Sequence, residues 1–98
     1  MRRQPVAAIY DGQPRLLCPH VGGWKEGRRN VLCYQFDGRS NSFEQLHSEG
    51  QGVWRCLTVK RLSHVELHAG KWHTAPRAKR QTCIDDVDFE VQPDEDPQ

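Results

Sequence analysis

Two arginines and a lysine are set into one apolar run, Trp54-Arg55-Cys56-Leu57-Thr58-Val59-Lys60-Arg61-Leu62-Ser63-His64-Val65. A guanidinium held by packing on or beside a strand presents a planar fork to a phosphate or carboxylate. Arg55 and Arg61 are therefore candidate anion-binding residues, together with Arg15 at the head of Arg15-Leu16-Leu17-Cys18. Tyr34 and Trp54 sit in neighbouring apolar runs and offer ring faces on which a base can stack, the pairing with arginine that a nucleotide or single-stranded nucleic acid needs. The competing reading is structural. Tyrosine and tryptophan in such runs usually belong to the core, and Arg55 and Arg61 can pair with Glu66 or with acidic residues near the C-terminus.

The other reactive residue types form no set. Cys18 and His20 would share a strand face and are the one local thiol and imidazole pair, but Pro19 between them disturbs the geometry and no third partner follows. Metal ligation would want paired ligands at short spacing, whereas Cys18-Pro19-His20 is followed only by the separated His64, His68 and His73. His64 and His68 share a face in a helix or a strand alike, as two histidines on a solvent face also would. Gly22, Gly23 and Gly27 lack the lysine and hydroxyl spacing of a phosphate-binding loop. No catalytic residue, metal or cofactor is expected, and the chain does not read as an enzyme.

Ninety-eight residues make one modest domain. With a mean hydropathy of -0.84 and no long apolar stretch, no membrane span is expected. Two arginines open the chain without a following apolar region, which does not read as a secretory signal, so a cytoplasmic location is expected. In that setting Cys18, Cys33, Cys56 and Cys83 read as buried free thiols, three of them lying inside apolar runs. The net charge of +1 hides a lopsided distribution: acidic residues concentrate from Asp85 to Asp96, leaving a basic body. Such an acidic end reads as solvated and disordered, or as a segment that folds back and competes with an anionic ligand.

Short apolar runs broken by turn signals predict a mainly β chain. Val6 to Tyr10 and Arg15 to Cys18 read as strands joined through Asp11-Gly12, with Pro19 ending the second or marking an edge. Val21 to Gly27 reads as a glycine-rich loop, and Asn30 to Phe36 as a strand apolar on both faces. A long polar loop from Asp37 to Gly52 precedes strands at Val53 to Lys60 and His64 to His68, joined by a tight turn over Arg61-Leu62-Ser63. Five short strands favour a small Sm- or SH3-like barrel, since closure removes exposed edges. The expected layout is a barrel over 1–73 and a flexible basic-then-acidic extension over 74–98.

The succession Ile9-Tyr10, Arg15-Leu16-Leu17-Cys18-Pro19-His20, Val31-Leu32-Cys33-Tyr34-Gln35 and Trp54 to Leu62 with Val65 resembles the WYL domain family. That bacterial group has an Sm-like barrel and is usually attached to a DNA-binding helix-turn-helix or a nucleic-acid enzyme. Arg15 resembles the arginine after the family's second hairpin, and Arg55 to Leu62 resembles its Arg-x-Phe-x-x-x-Arg-Ile pattern. The Trp-Tyr-Leu signature itself is absent, Leu32-Cys33-Tyr34 stands in its place, and no helix-turn-helix accompanies it. The resemblance implies a stand-alone regulatory or ligand-sensing module, working with a separate DNA-binding or effector protein. Two functions remain open: anionic-ligand binding, to a nucleotide or single-stranded nucleic acid, through Arg15, Tyr34, Trp54, Arg55 and Arg61; or a non-catalytic protein-interaction barrel.

Overall fold

Two tight turns organise the chain. Asp11 and Gly12 take positive φ of 52° and 79°, and Glu26 and Gly27 repeat the pattern at 50° and 79°. Two consecutive left-handed residues make the hairpin turn whose twist matches that of its strands. They join β1 (Val6–Tyr10) to β2 (Gln13–Lys25) and β2 to β3 (Arg28–Arg39). The computed structural model describes residues 3–39, 45–46, 52–77 and 80–91. Within these, β4 (Gln45–Leu46) and β5 (Val53–Thr58) pair with β3. A 3₁₀ turn over Val59–Arg61 leads into β6 (Leu62–Leu67), which pairs with β1, and β7 (Asp86–Glu90) pairs with β2.

All ladders are antiparallel and give the order β4-β3-β2-β1-β6, with β5 also on β3 and β7 also on β2. The mainly β expectation holds. The closed five-stranded barrel does not follow from the hydrogen bonds, because no ladder joins β5 to β6. These strands are linked by a 3₁₀ turn and not by a hairpin turn, so they are consecutive without being paired. The strand boundaries also move: β5 stops at Thr58, and β6 begins inside the expected turn.

Most of the expected loop from Val21 to Gly27 is instead the second half of β2, which runs to Lys25 and leaves only Glu26-Gly27 as the turn. A side chain at Gly22 would collide with the Phe89 ring, and one at Gly23 with the Asp86 carbonyl. Both glycines therefore mark the close approach of another strand. Pro19 lies between the last β1 partner, Leu17, and the first β7 partner, Val21, where this edge of β2 has no ladder to complete. The long loop is shortened in turn, since β3 runs on to Arg39 and β4 falls within it.

Alternation along β3 and β5 sorts side chains onto two covered faces. Cys33 and Leu57 join Ala8, Tyr10 and Leu17 in one cluster, flanked by Val6, Val31 and Leu62. On the other face, Leu32 packs with Val21, Cys83 and Ile84, while Tyr34 and Phe36 pack with Cys18, and Trp54 supports both groups. The second face is roofed by residues 83–91, which lie within the extension expected over 74–98 and here carry β7 and three buried side chains. Cys83, Ile84 and Val91 are buried, and the Val91 amide donates to the His20 carbonyl at 2.6 Å. Residues 92–98, including Pro93 to Pro97 of the expected acidic tail, lie outside the described residues.

The same segment overturns the reading of four free thiols. Cys56 and Cys83 form a disulfide with a Cα–Cα distance of 5.6 Å, while Cys18 and Cys33 are free and buried. Disulfides persist in oxidising compartments, so the cysteines no longer argue for the cytoplasm. Among the described residues, no helix is long and apolar enough to cross a membrane.

Candidate anion-binding site

The sheet sets two of the three predicted arginines, Arg15 and Arg61, beside the ring of Tyr10, and starts Arg55 from the same face. Arg15 lies on the same side of β2 as Leu17, and Arg55 on the same side of β5 as Leu57, so both start from the Tyr10 face of the sheet. The Arg15 guanidinium stands 5.0 Å from the Tyr10 ring centroid, and that of Arg61 stands 5.4 Å away. Tyr10 is itself fixed, because the Thr58 amide donates to its hydroxyl at 3.0 Å.

The three cations differ in their surroundings. Arg15 is only 4% exposed and donates from Nη1 to Gln35 Oε1 at 3.3 Å. Burial holds its pKa below the ordinary arginine value, and the charge of Arg55 acts in the same direction, while Asp11 and Tyr10 oppose it. Arg61 forks onto Asp11, with Nε to Oδ1 at 2.7 Å and Nη2 to Oδ2 at 2.5 Å. In that fork Arg61 is about half exposed and Asp11 mostly covered, and the partner is neither Glu66 nor a C-terminal acid, the two acidic partners the structural reading offered. Arg55 is half-buried, and its Nε is shielded from water with no hydrogen-bond acceptor. A buried donor of this kind costs about 1–3 kcal/mol unless it is met by an acceptor. An anion held at the accessible part of the Arg55 guanidinium would offset its repulsion with Arg15.

Tyr34 and Trp54 do not join this group. They lie on the opposite face, in edge-to-face contact at 5.3 Å, and Trp54 also packs edge-on to His20 at 4.6 Å. Tyr34 is buried, and the sheet separates both rings from the arginines' face. The ring beside Arg15 and Arg61 is Tyr10. Two signals pointed that way. Gln35 is the polar residue in the otherwise apolar Val31 to Phe36, and the Asp11-Gly12 turn holds Tyr10 and Asp11 close to the start of β2.

His20 is the centre of the second face. The ring is fully buried between Trp54 and Trp72, whose centroid is 4.7 Å away. Its Nδ1–H donates to the Cys18 carbonyl at 2.7 Å, and the Thr74 hydroxyl donates to Nε2 at 2.8 Å. Burial lowers its pKa to about 4, opposed by the bond to Cys18 and assisted by the charges of Arg77 and Arg3. Burial likewise raises the Cys18 thiol to about 11, against the His73 amide that donates to its sulfur at 3.2 Å. The imidazole points at a carbonyl and a hydroxyl, not at the thiol, and the thiol stays protonated. This arrangement packs and does not activate a nucleophile. Among the described residues, no three His, Cys, Asp or Glu side chains are grouped to hold a metal ion.

No protein-family model matches the sequence, and neither the curated proteins nor the solved structures yield a match.

Proposed function

We propose that this chain is a non-catalytic sensing or regulatory module that binds an anionic ligand, a nucleotide or single-stranded nucleic acid, through Arg55, Arg15 and Arg61 around Tyr10. The observation that carries the reading is Arg55: a half-buried guanidinium with an acceptor-less Nε, placed near a second buried arginine. Like charges brought together in partial burial cost free energy, and a phosphate or carboxylate bridging them would offset it. The strand order β6-β1-β2-β3-β5, with a 3₁₀ turn between β5 and β6, supports a sheet curled in the manner of an Sm- or SH3-like barrel. With that curl, the WYL resemblance supplies the regulatory setting, in which a separate DNA-binding or effector protein completes the response.

The test is an amide chemical-shift titration with nucleotides, single-stranded DNA and single-stranded RNA at two salt concentrations. Saturable shifts at Tyr10, Arg15, Arg55 and Arg61 that weaken as salt rises are the expected result. The proposal is lost if an Arg55→Ala, Arg61→Ala double variant stays folded and still binds. The alternative, protein docking, draws on the edge of β6 that carries no ladder among the described residues, where Val65 and Leu67 are exposed. Docking there would be almost indifferent to salt.

A further inference from the structure

The face of the sheet that carries Tyr10 is not filled along its whole length. A cavity of about 250 Å³ opens beside Val6, Leu17, Val31, Cys33, Leu62 and Phe89. It shares no lining residue with Arg15, Arg55 or Arg61 and is a separate place. An engineered apolar cavity of about 150 Å³ stays dry and takes up benzene or xenon, so this one has room for a somewhat larger uncharged group. Water has little to bind on such a lining.

A second hollow, of about 290 Å³, adjoins it. The two share Val59 and Arg29 in their walls, and the second is completed by Arg28, Lys60 and Trp24. Its chemistry is the opposite. Three cations surround it, of which Arg29 is partly engaged, reaching Asp88 at 3.3 Å and standing 5.5 Å from the Trp24 ring centroid. Arg28 and Lys60 are exposed, and so is Trp24. An apolar hole beside a basic cleft, joined through common walls, matches a molecule with the same division.

We infer that this chain binds an amphiphilic anion, an alkyl or aryl tail ending in a carboxylate, with the tail in the apolar cavity and the carboxylate among Arg28, Arg29 and Lys60. Burying the tail removes apolar surface from water, and the cations fix which end stays outside. Neither half alone is a good ligand: a bare carboxylate at exposed cations gains little, and an uncharged tail forgoes the charged contact.

Titration of the ¹⁵N-labelled chain with octanoate, n-octanol and acetate tests this. Octanoate should give saturable amide shifts at Val31, Cys33, Leu62 and Phe89 and also at Arg28, Arg29 and Lys60. Octanol should shift only the cavity amides, roughly tenfold more weakly, and acetate should produce no saturable change. An Arg28→Glu, Lys60→Glu variant, altered only at exposed positions, should bring octanoate down to the affinity of octanol while leaving octanol unchanged. The inference is overturned if the cavity amides do not respond to octanoate. Equal binding of octanoate and octanol to the unaltered chain, or indifference of octanoate to the charge reversal, also overturns it. Because Arg55 and Arg61 are untouched, the nucleotide titration succeeds or fails independently.

Discussion

Acidification should loosen this protein through His20, and the size of the effect follows from its surroundings. In the unfolded chain the imidazole titrates near 6.5, whereas in the fold, enclosed by Trp54 and Trp72, it titrates near 4. Between those values the unfolded state binds a proton that the folded state refuses, so stability falls as pH drops through the window. At about 1.4 kcal/mol for each pH unit, the loss is about 3 kcal/mol between pH 7 and pH 4, and it levels off below the folded value. The comparison is with His20→Gln, which loses packing at all pH values but has nothing to titrate there. Other ionisable groups are common to both proteins and cancel in the difference. Urea unfolding at half-unit steps from pH 7 to pH 4 should show the stability gap narrowing by about 3 kcal/mol. A gap that stays constant would refute the reasoning, as would a His20 ring that titrates near 6.5 by NMR.

Breaking the Cys56–Cys83 bond frees a loop with a sequence separation of 27, which loop-closure entropy values at about 3.5 kcal/mol. Oxidised and reduced samples of the same chain should therefore differ clearly in denaturant midpoint, and equal midpoints would contradict the pairing. Leu57→Ala, at a site 2% exposed, should cost about 2–5 kcal/mol in equilibrium unfolding. Gly22→Ala should push Phe89 aside at a cost of about 1–3 kcal/mol, and hydrogen exchange should show loss of protection concentrated in β7.

The parts legible in the sequence were those set by local chemistry. Asp11-Gly12 announced its hairpin because few residue pairs accept two positive φ values, and Val31 to Phe36 announced a strand covered on both sides. What escaped depended on distant partners. Gly22 and Gly23 looked like loop residues because the strand that needs their missing side chains lies more than sixty positions away. Cys83 looked like any thiol until the chain returned it to Cys56. At the candidate site the cations were readable from type and setting, yet the companion ring was not. Deciding between Tyr10, Tyr34 and Trp54 requires knowing which face each takes across three strands. Period-two alternation fixes that within a strand, but the bulges at Leu16/Leu17 and Pro19/Val21 alter it between strands.

The roof over the second face is made after everything it covers. A growing chain that has released β1 to β6 carries Trp54, Tyr34, Phe36 and His20 without Trp72, Ile84 or Val91 to shield them. At about 5–20 residues per second, that interval lasts on the order of seconds, long enough for chaperones or sister chains to find the exposed rings. Cys56 must also wait, chemically available, until Cys83 is synthesised. Stalling translation between Leu67 and Cys83 should thus yield a sticky, thiol-reactive intermediate, whereas release past Val91 should end both properties together.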